Sequence, residues 1–319
     1  MAAFLIRRCV EALPVILLAT LAIFLGIRLI PGDPALLLAG QDASPETLAA
    51  VRQANGLDRP LPLQYAIWLN NAVHADFGVS FFTHTPVAQL IAQRAPATLE
   101  LAIAAMVLTV LASIPTGVIA AVRRDQPIDW LISSFNGIAV AVPSFWLGIL
   151  AIMLFSLALG WLPPGGRGDP VSDPLQELKF LVLPAVTLAL PGVAAVSRLV
   201  RASMLEVLGD DYVRTARAKG VAQHGVVLGH ALRNALVPVV TLLGLNFGRL
   251  LGGAVVIESV FAWPGLGQLI RDAISRRDYA VVQATLLLLV LTFIVINLLT
   301  DVLYGVIDPR IRLTGRRAR

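Results

Sequence analysis

The chain has 319 residues, 57% of them hydrophobic and 14% charged, and its mean hydropathy of +0.79 lies outside the range of a soluble globular domain. A net charge of +5 and a pI near 10.0 would suit nucleic acid, but the basic residues fall between apolar blocks and form no basic patch rich in aromatics. Nucleic acid is therefore excluded as a partner, and a single cysteine, Cys9, excludes an internal disulfide and a thiolate metal cluster.

A helix needs roughly 20 apolar residues to cross a bilayer core. Stretches at about 10 to 30, 97 to 121, 131 to 160, 180 to 202, 235 to 257 and 281 to 305 meet that length. Unpaired backbone is costly in lipid and no series of short alternating strands points to a barrel, so the expected fold is an all-α integral membrane protein with six spans. Arg7 and Arg8 precede the first run as they would in a signal peptide. The run from Leu13 to Ile30, broken only by Arg28, is longer than a signal's apolar region, and a retained helix is expected.

Residues 31–96 form a long loop after the first span. Its Trp68, Phe77, Phe81 and Phe82 suit a membrane interface, with docking of a partner as the alternative. His74, Asp76 and His84 could be arranged around a metal, but loop histidines are usually solvated, and no metal site is expected. Pro115, Pro143, Pro184, Pro191 and Pro238 interrupt spans, and each removes a backbone donor and bends its helix unless neighbours compensate.

Arginine placement sets the orientation. With the N-terminus inside, the inner segments hold Arg7, Arg8, Arg123, Arg124, Arg198, Arg201, Arg214, Arg217, Lys219 and Arg233, whereas the short outer loops hold few basic residues. Both termini are expected to be cytoplasmic.

Between the fourth and fifth spans, residues 205–234 carry a short polar helix. Asp210 and Asp211 stand where carboxylates cap a helix, Arg217 and Lys219 stand near its negative end, and Gly220 is a natural stop. Tyr212 lies one turn before Ala216, and small Thr215, Ala216 and Ala218 beside that aromatic suit insertion into a groove on another protein. An ordinary amphipathic surface helix would explain the same pattern.

Polar residues within the last two spans are candidates for a solute path. Asn246 and Arg249 sit one turn apart in the fifth span, and Asn297, Asp301 and Tyr304 follow helical spacing in the sixth. Arg249 is expected to avoid lipid, either attracting a substrate carboxylate or making a structural ion pair.

No catalytic set is present. Neither lysine, Lys179 or Lys219, follows a glycine, so the end of a phosphate-binding P-loop is missing, and His-Glu-x-x-His and Gly-x-Ser-x-Gly do not occur. The chain is expected to be no enzyme and to hold no cofactor.

Asp211-Tyr212-Val213-Arg214-Thr215-Ala216-Arg217-Ala218-Lys219-Gly220, with Arg233, Asn234 and Pro238 downstream, resembles the coupling loop of permease subunits from bacterial ABC importers. The variant is that of the dipeptide, oligopeptide and nickel transporter family. The general motif opens Glu-Ala-Ala where this chain has Arg214-Thr215-Ala216, a departure shared by the peptide branch. Pro31-Gly32-Asp33-Pro34, Gly56-Leu57-Asp58-Arg59-Pro60-Leu61, Pro96-Ala97-Thr98-Leu99-Glu100-Leu101, Glu258 to Gly267 and Asp308-Pro309-Arg310-Ile311-Arg312 also resemble this family, so the likeness covers nearly the whole chain.

The resemblance implies a type I importer permease made of one transmembrane domain with its core at about 97–305, a periplasmic region at 31–96 and a cytoplasmic coupling loop at 205–234. In that loop Asp211, Tyr212, Thr215, Ala216, Ala218, Gly220, Arg233, Asn234 and Pro238 would contact an ATPase. It further implies a second homologous permease, two ATPase subunits that hold ATP and Mg, an extracytoplasmic substrate-binding protein, and alternating access in the bacterial inner membrane. Trp263, Pro264 and Gly265 are the candidate turn for docking the binding protein, with aromatic anchoring as the simpler alternative. The cargo stays open among dipeptides, oligopeptides, glutathione, nickel chelates and sugars. A self-sufficient secondary transporter or channel is the competing reading, although neither needs a helix shaped for a partner.

Overall fold

In the computed structural model the described residues are 2–29, 34–39, 43–54, 56–169 and 172–307, and among them regular structure is entirely helical. In chain order the helices are α1 (Ala2–Arg28), α2 (Pro34–Ala39), α3 (Pro45–Ala54), α4 (Leu61–Val73), α5 (Val87–Val122), α6 (Pro127–Ala141), α7 (Ser144–Ala151), α8 (Pro174–Leu208), α9 (Asp211–Ala218), α10 (Leu232–Val260), α11 (Leu266–Ser275) and α12 (Tyr279–Ile307). π-helical turns extend α7 over Ile152–Ala158 and precede α10 over Gly225–Ala231. The motifs Pro31-Gly32-Asp33 and Asp308 to Arg312 lie outside the described residues.

Five helical stretches among the described residues are long and apolar enough to cross a membrane: Val10–Arg28, Val87–Val122, Pro174–Leu208, Gly225–Val260 and Tyr279–Thr300. The expected third span is broken. Pro127–Ala141 and Ser144–Ala158 meet at 105°, and only together do they make a sixth span. Pro143 has no N–H to continue the helix, and the residue before a proline is pushed out of the helical region. Val142 accordingly sits at φ −89°, ψ 130°. Pro184, Pro191 and Pro238, by contrast, lie inside continuous helices.

The chain divides into two compact units. One comprises the described residues of 97–264 with the pieces 2–5 and 295–307. Here α8 is the central helix, packing on α6, α7 and α10. Small residues let α5 approach α8 and α10 approach α12, as they do where lipid supplies no hydrophobic drive for helix pairing. A Cβ on Gly117 would lie 2.6 Å from the Ser197 carbonyl oxygen, and one on Gly244 would enter the Thr300 side chain. Two apolar clusters form, one around Leu101, Leu188, Leu250, Ile257 and Trp263, the other around Val196, Val200, Met204, Val227 and Val239.

Polar bonds stitch the same unit. The Thr98 hydroxyl donates to Glu258 Oε1 at 2.6 Å, with both residues buried. Arg167 reaches Glu100 at 2.6 Å and Glu177 at 3.2 Å, and Arg201 grips the buried Asp129 through two bonds of 2.7 Å. The fork of a guanidinium matches two carboxylate oxygens, which makes this last contact geometrically specific.

The other unit comprises residues 6–96 and 265–294. Phe24 of α1 is buried against Tyr65, 5.2 Å between ring centroids, and Trp68, at 5.9 Å. Arg28 stacks 3.6 Å over the Phe24 ring and donates to Gln64 Oε1 at 2.6 Å. The Gln64 amide in turn donates to the carbonyls of Leu57 and Arg59. Ser80 and Asp278, both buried, are hydrogen-bonded, and the Arg276 guanidinium lies 4.0 Å over exposed Phe82.

Candidate functional site

The segment between α8 and α10 is built to hold α9 in one place. Asp210 has the extended backbone of a helix N-cap, but its side chain makes no capping bond, so the expected carboxylate cap is not formed. The adjacent Asp211 instead makes an exposed contact of 3.4 Å with Arg214, a type worth little in water. The other end follows the expectation closely. Gly220 adopts φ +81°, its N–H bonds the Arg217 carbonyl at 3.0 Å, and the Val221 N–H bonds that of Ala216 at 3.2 Å. These two bonds are a Schellman stop, which needs a left-handed residue at this point.

Two further contacts fix the orientation of α9. Val213 is fully buried beneath it, and the Asn234 amide of α10 donates to the Tyr212 hydroxyl at 2.7 Å. Outward are Asp211, Tyr212, Arg214, Thr215, Arg217, Ala218, Lys219 and Gly220, with Ala216 half-buried, and Arg233 and Pro238 of α10 are exposed as well. A short helix with its apolar residue turned inward thus leaves a polar face free, its small residues set among long basic ones.

Asn246 and Arg249, both expected to line a path, have different surroundings. Asn246 is 7% exposed and packs against Gly192, where a Cβ would lie 2.5 Å from its Nδ2. Arg249 is exposed and, among the described residues, has no ion pair. Three positions along a helix leave side chains about 60° apart, enough for one to face the bundle and the other outward. Asn297 is half-buried with its Oδ1 unpartnered among the described residues, and the side chains of Asp301 and Tyr304 lie outside them.

The expected docking turn is corrected. Trp263 is 0% exposed, its indole N–H donates to the Ala97 carbonyl at 2.8 Å, and Gly265 is buried as well. The Trp263 side chain is thus packed inside and not offered to a partner, while Pro264 is half-buried. His74 bonds the Asn70 carbonyl, Asp76 bonds the Gly78 N–H, and no metal-holding group occurs among the described residues.

Sequence reasoning missed the Asp129–Arg201 grip and the Arg167 bridge. A signal existed: an acid at the first turn of an apolar helix needs a cation, and Arg201 is a cation on another span.

Residues 113–313 match the model of the family described as binding-protein-dependent transport system inner membrane component, and residues 1–102 match the N-terminal model of the same systems. The chain belongs to this family of transport permeases. A protein of Brucella abortus (strain 2308), named as a candidate peptide transport system permease, is 47% identical over 312 residues, 98% of this chain and 99% of the relative. The glutathione transport system permease protein GsiC of Escherichia coli (strain K12) is 46% identical over 309 residues, 97% and 98% of the two chains. Among solved structures, the MetNI methionine ABC transporter in an inward-facing form matches with a TM-score of 0.54 and 21% identity over 69% of this chain and 97% of that one. This supports a shared fold. Binding-protein-dependent permeases of this kind are multi-pass membrane subunits and not themselves enzymes.

Proposed function

We propose that this permease imports short peptides as one of two homologous membrane subunits, and that α9 is the helix through which ATPase subunits drive it. The presentation of α9 carries the reading: an outward face of small residues among basic ones, held by a Schellman stop, the buried Val213 and the Tyr212–Asn234 bond. A helix fixed at both ends transmits displacement instead of absorbing it. From α9 the chain runs back into α8, where Arg201 grips Asp129, so a push on α9 has a stiff route towards the α6–α7 break.

Under this reading the loop at 205–234 and both termini are cytoplasmic, in keeping with the arginine distribution. Residues 31–96 are periplasmic, a binding protein delivers cargo there, and ATP with Mg binds the ATPases alone. Arg249 faces the second permease across the solute path, since it is exposed and a charge near the middle of a span avoids lipid. The peptide cargo rests on relatives named for peptide and glutathione transport. Purification of the tagged chain from its native membrane tests the assembly, with Ala216→Asp/Gly220→Asp as the control. A second permease and P-loop ATPases are expected to accompany the wild type, and the ATPases are expected to be lost from the variant. Recovery of the chain alone, indifferent to the variant, would point to a self-sufficient transporter.

A further inference from the structure

Within the unit of residues 6–96 and 265–294, two cavities of about 690 Å³ and 190 Å³ share Arg28, Trp68, Phe77 and Phe81 in their walls. The smaller one also reaches Tyr279 and Gln283 at the start of α12. Those two residues are 6% and 9% exposed, and Tyr279 Oη and Gln283 Nε2 have no hydrogen-bond partner among the described residues. Buried polar atoms are nearly always partnered, so two orphans on one helical turn are a signal. Arg28 adds charge: a guanidinium has five N–H donors, and its bonds to Gln64 Oε1 and the Phe24 carbonyl leave others for a ligand. Among the described residues no carboxylate lines the smaller cavity. Its polar chemistry is one cation with a hydroxyl and an amide donor, which suits a ligand anion with two oxygens.

The larger cavity differs. Among the described residues it carries one acid, Asp76, and its aromatic walls continue from the smaller one. Its volume lies in the range of small-molecule sites. We propose that the two cavities together take a short peptide with a free C-terminus, its carboxylate among Arg28, Tyr279 and Gln283, a side chain against Trp68, Phe77 and Phe81, and its ammonium towards Asp76. The site shares no residue with the path proposed at Arg249 and selects peptides by their terminus. It rests on the peptide reading given above, and it gives the permease a recognition step of its own.

The test uses the assembled membrane complex in phosphatidylcholine nanodiscs without binding protein, with radiolabelled alanyl-phenylalanine and its C-terminal amide as probes in equilibrium dialysis. The free acid is expected to bind at least about tenfold more tightly than the amide, the scale of a charge-assisted hydrogen bond. Tyr279→Phe/Gln283→Leu is expected to narrow that preference without erasing it, because Arg28 stays in place, and retention of the partner ATPases on purification shows that the variant is folded. Equal binding of acid and amide by the wild type, no binding of either, or an unaltered preference in the variant would overturn the site. ATP-driven uptake of the same dipeptide by the complete system in proteoliposomes separates the two readings. Uptake without a carboxylate preference in the dialysis removes the site alone, whereas absence of uptake removes the peptide reading and leaves the site to be judged by the dialysis.

Discussion

The Asn234 side-chain amide donates a 2.7 Å hydrogen bond to the Tyr212 hydroxyl, tying the first turn of α9 to the first turn of α10. The bond is exposed, so its loss costs little stability, about 0.5–1.5 kcal/mol for a neutral pair. Its mechanical effect is expected to be larger. Tyr212→Phe and Asn234→Ala should each keep the ATPases bound but lower the stimulation of ATP hydrolysis by loaded binding protein, and the double variant should be no worse than either. Additive losses would show that the two residues act separately.

Asp129 is buried, and Arg201 is its cation. Removing one partner leaves the other charge uncompensated, at a cost of about 3 kcal/mol or more. Asp129→Asn and Arg201→Met should each lower the thermal midpoint of the detergent-solubilised permease markedly. Asp129→Leu/Arg201→Met should lower it less than the sum, because no orphan charge remains.

Trp263 acts as an internal prop. Trp263→Phe keeps most of the volume and loses the bond to Ala97, for about 1 kcal/mol, whereas Trp263→Ala opens a cavity for about 3–5 kcal/mol. Thermal shifts should rank the variants in that order, and the affinity of the Trp263→Phe complex for binding protein should equal that of wild type.

Gly244 and Thr300 form a tight crossing of α10 and α12. Gly244→Ala should destabilise by about 1–3 kcal/mol through overpacking. Adding Thr300→Ala removes the two nearest atoms that a new Cβ would meet and leaves the residue 300 Cβ at 2.8 Å, so the double variant should recover part of the lost midpoint.

Arg249→Gln should leave the second permease and the ATPases in place while lowering peptide uptake about tenfold, the scale of one charge-assisted hydrogen bond. Uptake rates in proteoliposomes, read beside co-purification, check this. Normal uptake with normal assembly would remove Arg249 from the path.

Five spans and the end of α9 were legible because their signals are local. Apolar length fixes a span, and Gly220 supplies a backbone conformation that few residues tolerate. The break at Pro143 was half legible: the proline announced a bend, but only its neighbours decide whether a helix bends or stops, as Pro184 and Pro191 within continuous α8 demonstrate. Trp263 was misread because an aromatic beside Pro-Gly looks the same facing water or a core. Its partner, the Ala97 carbonyl, is remote in sequence, and no periodicity announces that meeting. The different surroundings of Asn246 and Arg249 likewise depend on Gly192 admitting one amide, a fact of packing between helices.

Arg249 also bears on how many copies a membrane can keep. A solitary chain would present that guanidinium to hydrocarbon, at about 2.5–3.5 kcal/mol on insertion scales. A joined pair would hide it against a wet seam. On the proposed pairing the penalty would fall only on surplus subunits, so one arginine would make orphan copies the weaker species.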